Sequence, residues 1–466
     1  MSVQAQLSGE FGDAVLDGAP AEYLTDFTRA PGRADAVVLP RTAEEVAAVL
    51  AWCYERDVPI VPRGGGTGAA AGAVPSGGVV LALDRLDRVR SFEPELWRIH
   101  VEAGVPTGRL KQVVREGGLM FAPDPGAPEQ SQIGGNIATN AGGPHAFKYG
   151  VVGDWVTGIE AALPPGELVS VGGPIRKDVA GYDLKHLLVG SEGTLGIVTA
   201  AWLKLLPAPE AVLPVAVFHR DTREGCAALL RVVGSGVVAA ALDVLDAQTL
   251  ACGAASFPGG VPEGAGFVLL AEADGSRAEA ERIRDELLEA AGDHAVGTYA
   301  PDDREGVDAF WRWRSGLAFA VLARRGGVVA EDIVVPLDRV EEAMDRTLAI
   351  GHARELIGLS FGHAGDGNLH SAFLVSPDDP DELRRAALAV EDLFELAVRL
   401  GGSVSGEHGL GLLKRGQLAR QWPARALDLH ADIKRLFDPK NLLNPGKKLA
   451  RPLPGDHEHL PLGTRS

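Results

Sequence analysis

The sequence predicts an α+β protein with two main domains, because the pattern of apolar residues changes once along the chain. Up to the break at Pro207-Ala-Pro209, short apolar strands alternate with a helix and several glycine-rich loops. From about Val212, longer amphipathic helices alternate with short strands, which is the pattern of a second α+β domain. With 466 residues, 46% of them hydrophobic, the chain is long enough for two to three domains.

A β-α-β unit opens the first domain. Asp35–Leu39 predicts a strand, and Thr42-Ala-Glu-Glu45 is a capping-box pattern that predicts the start of an amphipathic helix. A second strand, Val58–Val61, then leads into the loop Arg63–Gly68. Further strands are predicted at Val79–Leu83, Arg98–Val101, Gly158–Ala162 and Ile197–Leu203.

The second domain carries the longest helical patterns in the sequence. Helices are predicted at Ala278–Ala291, Arg339–Ile350 and Asp381–Leu400, and strands at Gly266–Glu272, Val328–Val335 and Leu356–Gly362. A final helical segment is predicted from Gly416 to Leu449, followed by a loose tail rich in Pro, Gly and His. The predicted divisions are therefore 1–207, 208–415, 416–450 and 451–466.

Charge and cysteine content exclude several classes of function. Asp and Glu number 63 against 45 Lys and Arg, and the resulting net charge of −18 disfavours nucleic acid and anionic membranes as partners. The N-terminal stretch lacks the pattern of a secretory signal, and no apolar run reaches the ~18 residues of a membrane span, so a cytoplasmic location is expected. The three scattered cysteines support neither a disulfide framework nor an iron–sulfur site. Any redox chemistry would therefore need an organic cofactor.

Glycines cluster in short stretches, the first of which is Pro62-Arg-Gly-Gly-Gly-Thr-Gly68. Residues without a Cβ let backbone N–H groups approach an anion closely, as a pyrophosphate requires. The stretch lacks the lysine of a P-loop, and no G-x-G-x-x-G is present for a nicotinamide-binding turn. Two more loops of small residues, Ile133–Gly143 and Gly190–Gly196, have the same character. Together they predict a nucleotide or flavin site; the alternative is that each is a structural turn.

The stretch Gly362-His-Ala-Gly-Asp-Gly-Asn-Leu-His370 indicates a metal site. Asp366-Gly367 is a favoured two-residue hairpin turn, and in that register His363 faces His370 across the two strands. Two neutral imidazoles so placed are natural ligands for a divalent metal such as zinc. The alternative is a pair of core histidines that are hydrogen-bonded internally.

A carboxylate and a third histidine follow in Gly406-Glu-His-Gly409. Because Glu407 and His408 are adjacent, one can bind the metal while the other acts as a general base. The alternative is a polar surface turn flanked by glycines. A third histidine near a two-histidine site favours a catalytic interpretation.

Taken together, the motifs resemble the FAD-linked 2-hydroxy-acid oxidases and dehydrogenases of the vanillyl-alcohol-oxidase type. That family includes D-lactate dehydrogenases, the FAD subunit of bacterial glycolate oxidase and D-2-hydroxyglutarate dehydrogenase. The resemblance extends from about Val37 to Leu449 through motifs in the family's order: PRGGGTG, IGGNIATNAGG, KYG, GSEGTLGIVT, GHAGDGNLH, GEHGLG and FDPKNLLNPGK. It implies an FAD domain of two α+β subdomains and an α+β cap domain with an antiparallel sheet.

The resemblance also implies roles for individual residues. No histidine follows the first glycine stretch, so the FAD is expected to be bound non-covalently. The residues implied in FAD binding are Pro62, Arg63, Gly64, Gly65, Gly66, Thr67, Gly68, Gly134, Gly135, Asn136, Thr139, Asn140, Gly143, Glu192, Ile197 and Asn444. The implied metal ligands are His363, His370 and Glu407, and the implied catalytic residues are His408 as base, Arg314 of the Trp311-Arg-Trp-Arg314 segment as carboxylate binder, and Asn368. The chain departs from the family pattern at Gly153, Pro165 and Ser371, which affects the expected substrate more than the chemistry.

The predicted function is oxidation of a small D-2-hydroxy acid, of the D-lactate or glycolate type, with hydride transfer to FAD. Relatives that take a dicarboxylate place a lysine where this chain has Ala330 and Glu331, so D-2-hydroxyglutarate is expected to be disfavoured, although Arg324 and Arg325 lie nearby. The alternatives are a D-2-hydroxyglutarate dehydrogenase, a non-catalytic FAD-binding subunit, a metal hydrolase and a flavin-dependent alkyl transferase. An electron acceptor, such as an iron–sulfur or electron-transfer subunit at the membrane, is expected as a partner, and self-association as a homodimer stays open.

Overall fold

The computed structural model describes residues 1–449, which form two compact units. Of the described residues, the first unit contains Met1–Gly143, Val151–Ala208 and 407–449, and the second contains Pro144–Gly150 and Pro209–Gly406. The tail predicted at 451–466 lies outside the described residues. Across 1–449, we find no helix that combines the length and the hydropathy needed to cross a bilayer.

Strands and helices alternate along most of the described chain. The strands are β1 (Ala36–Val38), β2 (Ile60–Arg63), β3 (Val79–Ala82), β4 (Val89–Glu93), β5 (Arg98–Glu102), β6 (Leu119–Met120), β7 (Val156–Leu163), β8 (Glu167–Gly172), β9 (Ile197–Lys204), β10 (Leu206–Pro207), β11 (Ala211–His219), β12 (Ala241–Asp246), β13 (Phe267–Gly275), β14 (Gly297–Tyr299), β15 (Gly327–Val334), β16 (Ile357–Gly362) and β17 (Asn368–Val375). The helices are α1 (Val3–Phe11), α2 (Ala43–Glu55), α3 (Thr107–Glu116), α4 (Ile133–Thr139), α5 (Ala146–Tyr149), α6 (Leu184–Leu188), α7 (Thr222–Ser235), α8 (Ala247–Gly253), α9 (Arg277–Ala291), α10 (Arg304–Ala323), α11 (Val340–Ala353), α12 (Pro380–Arg399), α13 (Leu418–Gln421) and α14 (Ala424–Phe437).

The first unit contains the predicted β-α-β unit. Strands β1 and β2 flank β3 in a parallel sheet, and α2 connects β1 to β2. The side chain of Thr42 accepts a hydrogen bond from the Glu45 N–H, as a helix N-cap should. The other half of the predicted capping box is wrong, because the Glu45 carboxylate accepts from the Arg41 N–H instead of from Thr42. Strand β2 delivers the chain directly into the first glycine stretch.

An antiparallel sheet in the order β4-β5-β9-β7-β8 forms the other layer of strands in this unit.

The C-terminal segment from Gly416 is helical only as far as Phe437, and Asp438–Leu449 is irregular, so the predicted helix to Leu449 is wrong in its last part. The buried Lys434 ammonium explains how this irregular stretch is held. It bonds to the Asp438 carboxylate at 2.6 Å and to the carbonyls of Thr194 and Leu443 at 2.8 and 2.7 Å.

The second unit is built on a seven-stranded antiparallel sheet in the order β14-β11-β13-β12-β16-β17-β15. Helix α10 packs through Phe310, Trp313 and Leu317 on the face that carries Leu245 and Leu270, and we call this the α10 face. Side chains on paired strands alternate between the two faces, so residues directly opposite each other share a face. Helices α7 and α11 lie on the opposite face, because Gly225 packs against Phe267 and the Thr347 hydroxyl contacts that of Ser371 at 3.1 Å.

The short segment Pro144–Gly150 belongs to this second unit although the chain on either side of it belongs to the first. Two buried carboxylates of β13 bind it. His145 contacts Glu272 at 2.7 Å, while Lys148 and Tyr149 both bond to Asp274. Because pairing compensates a buried carboxylate, these contacts account for two acids in an otherwise apolar strand.

Candidate active site

The first two glycine stretches meet in the first unit, although about 70 residues separate them in the sequence. A Cβ on Gly64 would lie 3.4 Å from the Cα of Gly135, and one on Gly65 would lie 1.8 Å from the Gln130 carbonyl oxygen. At Gly66, φ is +68° and a Cβ would lie 2.1 Å from an Arg63 Nη. A side chain is therefore excluded at Gly65 and strained at Gly66, and the two stretches approach to van der Waals contact at Gly64. Such close approach of bare backbone is what a pyrophosphate requires.

Polar side chains hold these loops in place. The Arg63 guanidinium donates to the carbonyls of Thr25 and Glu22, each at 2.5 Å. Asn136 donates to the Thr107 hydroxyl at 2.7 Å, and Asn140, with φ +52°, accepts from the Gly153 N–H at 2.8 Å. The side chains predicted to contact the cofactor at positions 63, 136 and 140 thus bind other parts of the protein.

The third loop, Gly190–Gly196, is joined to the C-terminal segment of the same unit. The Glu192 carboxylate accepts from the N–H groups of Leu410 and Gly411 at 2.9 and 2.7 Å. Asn444 donates to the carbonyls of Gly72 and Glu192 at 3.1 and 2.7 Å. Glu192 therefore fixes the backbone two and three residues after His408, a role that the sequence did not indicate.

The other residues implied in FAD binding lie on or beside the same loops. Gly134 packs against Ala103, where a Cβ would lie 2.6 Å from the Ala103 Cβ, and the Thr139 hydroxyl donates to the Gly135 carbonyl at 3.1 Å. The remaining members occupy β2, the loop after it, the turn after α4 and the start of β9: Pro62, Thr67, Gly68, Gly143 and Ile197.

Glu407 and His408 begin the C-terminal part of the first unit. The Glu407 carboxylate lies near Gly142, where a Cβ would approach its Oε2 to 2.8 Å. The imidazole of His408 lies 4.0 Å from the Glu407 carboxylate, and both side chains are partly exposed. Both groups are therefore accessible beside the loop that Glu192 anchors.

In the second unit, His363 and His370 are neighbours, but the turn between them differs from the prediction. Ala364–Asp366 forms a turn of 3-10 helix and Gly367 adopts φ +79°. The residue opposite His370 is Phe361, not His363, so the predicted register of the two-residue hairpin is wrong. The two imidazoles nevertheless lie 5.4 Å apart and almost perpendicular to each other. The longer turn moves His363 past the end of β16 and turns its ring toward that of His370.

Asp243 on β12 connects His363 with Arg314. Its Oδ1 lies 2.8 Å from the His363 Nδ1, and its Oδ2 accepts from the Arg314 Nε at 2.8 Å and also from the Nη2. The Asp243 side chain is 4% exposed. Burial alone would raise the pKa of this carboxyl, but the Arg314 guanidinium and the His363 imidazole hold the pKa well below its usual range. Asp243 is thus an ionised, buried acid with two basic partners.

The position of β15 revises the prediction about acidic neighbours. Asp332 is paired with His370, whereas Glu331 is paired with Ser371 on the face opposite the α10 face. Glu331 therefore does not share the face of His370, and the acid on that face is Asp332. Its carboxylate accepts from the Gly406 N–H at 2.7 Å.

Two further predicted positions lie near this face. Asn368 begins β17 and its side-chain amide donates to the Ile333 carbonyl at 3.1 Å. Ala330 packs with Val321 and Ala372 in an apolar cluster. The nearby arginines are engaged elsewhere, because Arg325 pairs with Glu382, and Arg324 lies 3.9 Å from the Cys252 sulfur.

Comparison with known proteins identifies the family. Residues 208–448 match the family described as FAD linked oxidases, C-terminal domain, and residues 34–172 match the family described as FAD binding domain. The chain belongs to the FAD-linked oxidases. It is therefore a flavoprotein and an oxidoreductase, as its motifs predicted.

Two relatives of this oxidase match along nearly their whole length. The chain is 36% identical over 420 residues to the glycolate oxidase subunit GlcD of Bacillus subtilis, covering 90% of this chain and 89% of that one. It is 32% identical over 450 residues to a D-lactate dehydrogenase of Anaerostipes hadrus, covering 94% and 93%. The predicted family resemblance is confirmed.

Solved structures confirm the predicted fold class of this FAD-linked oxidase. p-Cresol methylhydroxylase aligns with a TM-score of 0.76 at 18% identity, covering 96% of this chain and 95% of that one. The 4-ethylphenol oxidase from Gulosibacter chungangensis gives the same TM-score and identity, with coverage of 96% and 97%. At this identity the likeness concerns the fold alone.

Sequence reasoning missed one residue of this oxidase, Asp243. A signal was present, because Leu242-Asp-Val-Leu-Asp246 places two acids in an apolar strand pattern. A charged residue in a central strand is costly unless it is paired, so it marks a position with a specific partner. The partner itself could not be identified, since Arg314 and His363 are far away in the sequence.

Proposed function

We propose that this FAD-linked oxidase converts a small D-2-hydroxy acid to the 2-oxo acid, with a divalent metal and a histidine base assisting the reaction. The observation that carries the proposal is the arrangement around Asp243, where a guanidinium and the imidazole pair lie on one face of the sheet. The names of the relatives, a glycolate oxidase subunit and D-lactate dehydrogenases, point to the same class of substrate.

The donor set of the proposed metal site is His363, His370 and Glu407. Nitrogen and oxygen donors of this kind suit zinc and similar divalent ions. With the His363 Nδ1 directed at Asp243, its Nε2 is the nitrogen that would bind a metal. Gly406 is fixed next to the strand position of His370 by its bond to Asp332, and Glu407 is the next residue in the chain. This supports Glu407 as the third ligand.

Arg314 is proposed to bind the carboxylate of the substrate. Its Nε and Nη2 are taken by Asp243, which leaves the Nη1 side of the fork for a second carboxylate. The side chain is 14% exposed, so a substrate would meet a guanidinium that is already oriented and largely desolvated. The bound metal would supply Lewis-acid stabilisation to the oxygen atoms of the substrate.

His408 is proposed to accept the hydroxyl proton of the substrate. Loss of this proton makes departure of the Cα hydride easier, and FAD supplies the chemistry that accepts the hydride. The peptide N–H groups bonded to Glu192 keep the backbone after His408 in place, so the imidazole is held by its own loop. Asn368 is proposed to support the site from the start of β17.

The proposed function can be tested by anaerobic mixing of the purified protein with the D- and L-isomers of several 2-hydroxy acids. We expect the flavin absorbance to bleach with D-lactate or glycolate and not with L-lactate. A flavin that stays oxidised with every hydroxy acid would contradict the proposal. It would favour the alternative of a non-catalytic FAD-binding subunit.

The FAD is proposed to be non-covalent, because no histidine follows the glycine stretch that ends at Gly68. Precipitation of the protein with acid should therefore release all of the flavin into the supernatant. Absorbance and fluorescence of the supernatant and of the redissolved pellet measure the two fractions. Flavin that remains in the washed pellet would contradict the prediction.

A small monocarboxylate is predicted to be preferred over D-2-hydroxyglutarate. Ala330 packs in an apolar cluster, and Arg325 is paired with Glu382, so neither offers a cation to a second carboxylate. Leaving that carboxylate unpaired should cost about 2 kcal/mol, or roughly thirtyfold in kcat/KM. Steady-state kinetics with D-lactate, glycolate and D-2-hydroxyglutarate measure the ratio. Equal or higher kcat/KM for the dicarboxylate would overturn the substrate assignment while the hydride-transfer mechanism stands.

The reduced flavin needs an electron acceptor, and we propose a partner protein for this role. The word subunit in the name of the Bacillus subtilis relative supports an assembly of more than one chain. An iron–sulfur or electron-transfer subunit in the cytoplasm or at the membrane surface would meet the chemical requirement. Copurification with a native partner, followed by iron analysis, tests this proposal.

A further inference from the structure

We propose that Asp243 is a positioning residue that couples the metal site to the substrate's carboxylate site, an inference that rests on the proposed function. Asp243 is in the middle of β12, with apolar neighbours before and after it in the strand. It is one of several acids on the sheet, but its carboxylate is the one that the structure shows bonded to both His363 and Arg314. Each of its oxygen atoms serves a different part of the active site.

Toward the metal site, Asp243 selects the tautomer of His363. A carboxylate 2.8 Å from Nδ1 keeps a proton on that nitrogen and fixes the plane of the ring. The lone pair then lies on Nε2, and the negative charge behind the ring makes Nε2 a stronger donor. Without Asp243 the ring would lose this constraint on its plane and on its tautomer.

Toward the substrate, Asp243 selects the rotamer of Arg314. The guanidinium is held by its Nε and Nη2, so the long side chain keeps one orientation with its remaining N–H groups free for a carboxylate. A buried guanidinium also needs a counter-charge, and Asp243 provides it. The same single charge therefore serves both basic partners.

Because Asp243 is shared by two basic partners, we expect Arg314 to change the affinity of the metal site, and the direction of that change can be predicted. When Arg314 is absent, Asp243 interacts with His363 alone, so His363 should become a better metal ligand. When Asp243 is neutral, the presence or absence of Arg314 should make much less difference to the metal. The two substitutions are therefore expected to be non-additive in their effect on metal affinity.

The test measures Zn²⁺ binding by calorimetry in the FAD-loaded protein after the metal has been stripped. Asp243→Asn should weaken Zn²⁺ binding about 10- to 100-fold. Arg314→Met should tighten it on the order of fivefold, and the double variant should bind Zn²⁺ no more tightly than Asp243→Asn alone. The double variant also removes the unpaired guanidinium, so it keeps the measurement possible if Asp243→Asn folds poorly.

The matched control is Asp274→Asn, because Asp274 is an equally buried acid of the neighbouring strand that binds Lys148 and Tyr149. A general effect of removing a buried carboxylate would appear in this variant too, and we expect its Zn²⁺ affinity to be unchanged. Flavin absorbance confirms that each variant is folded and loaded with FAD.

The outcomes separate this inference from the proposed function. If Asp243→Asn binds Zn²⁺ as tightly as the wild type while His370→Ala loses it, the inference is overturned and the proposed metal site stands. Additive effects of Asp243→Asn and Arg314→Met overturn the coupling in the same way. If His370→Ala and Asp243→Asn both bind Zn²⁺ like the wild type, the metal site and the inference are overturned together.

Discussion

His370→Ala is expected to lose its metal and about 10³-fold in kcat while it keeps FAD. The reason is that His370 is one of three proposed ligands, and Lewis-acid stabilisation of developing charge is worth several kcal/mol, which corresponds to about three orders of magnitude in rate. Metal analysis by mass spectrometry, the flavin spectrum and steady-state kinetics measure the three quantities. Its contact with Phe361 on the sheet is modest, so the fold should survive the substitution.

The control for this prediction is His294→Ala, an exposed histidine of the same unit that lies beside Asp293. This variant should retain the metal and the activity of the wild type. Full metal occupancy in His370→Ala would show that the ligand assignment is wrong. Loss of FAD together with the metal would instead indicate general unfolding.

Substitution of His408 by Ala is expected to lower kcat by about 10² to 10⁴, the usual contribution of a general base. Metal and FAD should both remain bound, because Glu192 holds the loop through the N–H groups of Leu410 and Gly411 and not through His408. Added imidazole should restore part of the activity in this variant by replacing the missing base.

The corresponding control is His430→Ala, since His430 belongs to the same unit and packs against Trp422. Imidazole should not change the activity of that variant. A His408→Ala protein with wild-type kcat would remove His408 from the mechanism. Loss of activity without rescue, combined with loss of FAD, would assign His408 a structural role.

Much of the fold was predictable because its signals are local. Strand β2 and the loop after it, the start of α2 and the glycine loop before β9 all follow from residue types at short spacing. The junction of Gly64 with Gly135 was not predictable from spacing, but both stretches had the composition for it. Local propensity therefore located the loops, whereas tertiary packing brought them together.

The predictions were wrong where a shift of a single residue changes the length of a turn or the face on which a side chain lies. Asp366-Gly367 favours a tight hairpin, but the chain forms a longer turn, and His363 falls outside the strand. In β15, the sequence could not tell which of Glu331 and Asp332 faces His370, because a shift of one residue exchanges the two faces of a strand. The role of Asp243 depended on partners distant in sequence, which no local pattern reveals.

The hydrogen bonds between strand β2 and the C-terminal part of the first unit have a consequence for the biosynthesis of the protein. The N–H of Ile60 donates to the Leu442 carbonyl, and the N–H of Asn444 donates to the Ile60 carbonyl. Strand β2, which precedes the first glycine loop, is thus completed by residues that are synthesised long after it. We expect nascent chains to capture FAD only after synthesis has passed Asn444. A fragment ending before that residue would keep all three glycine loops and still emerge as apoprotein.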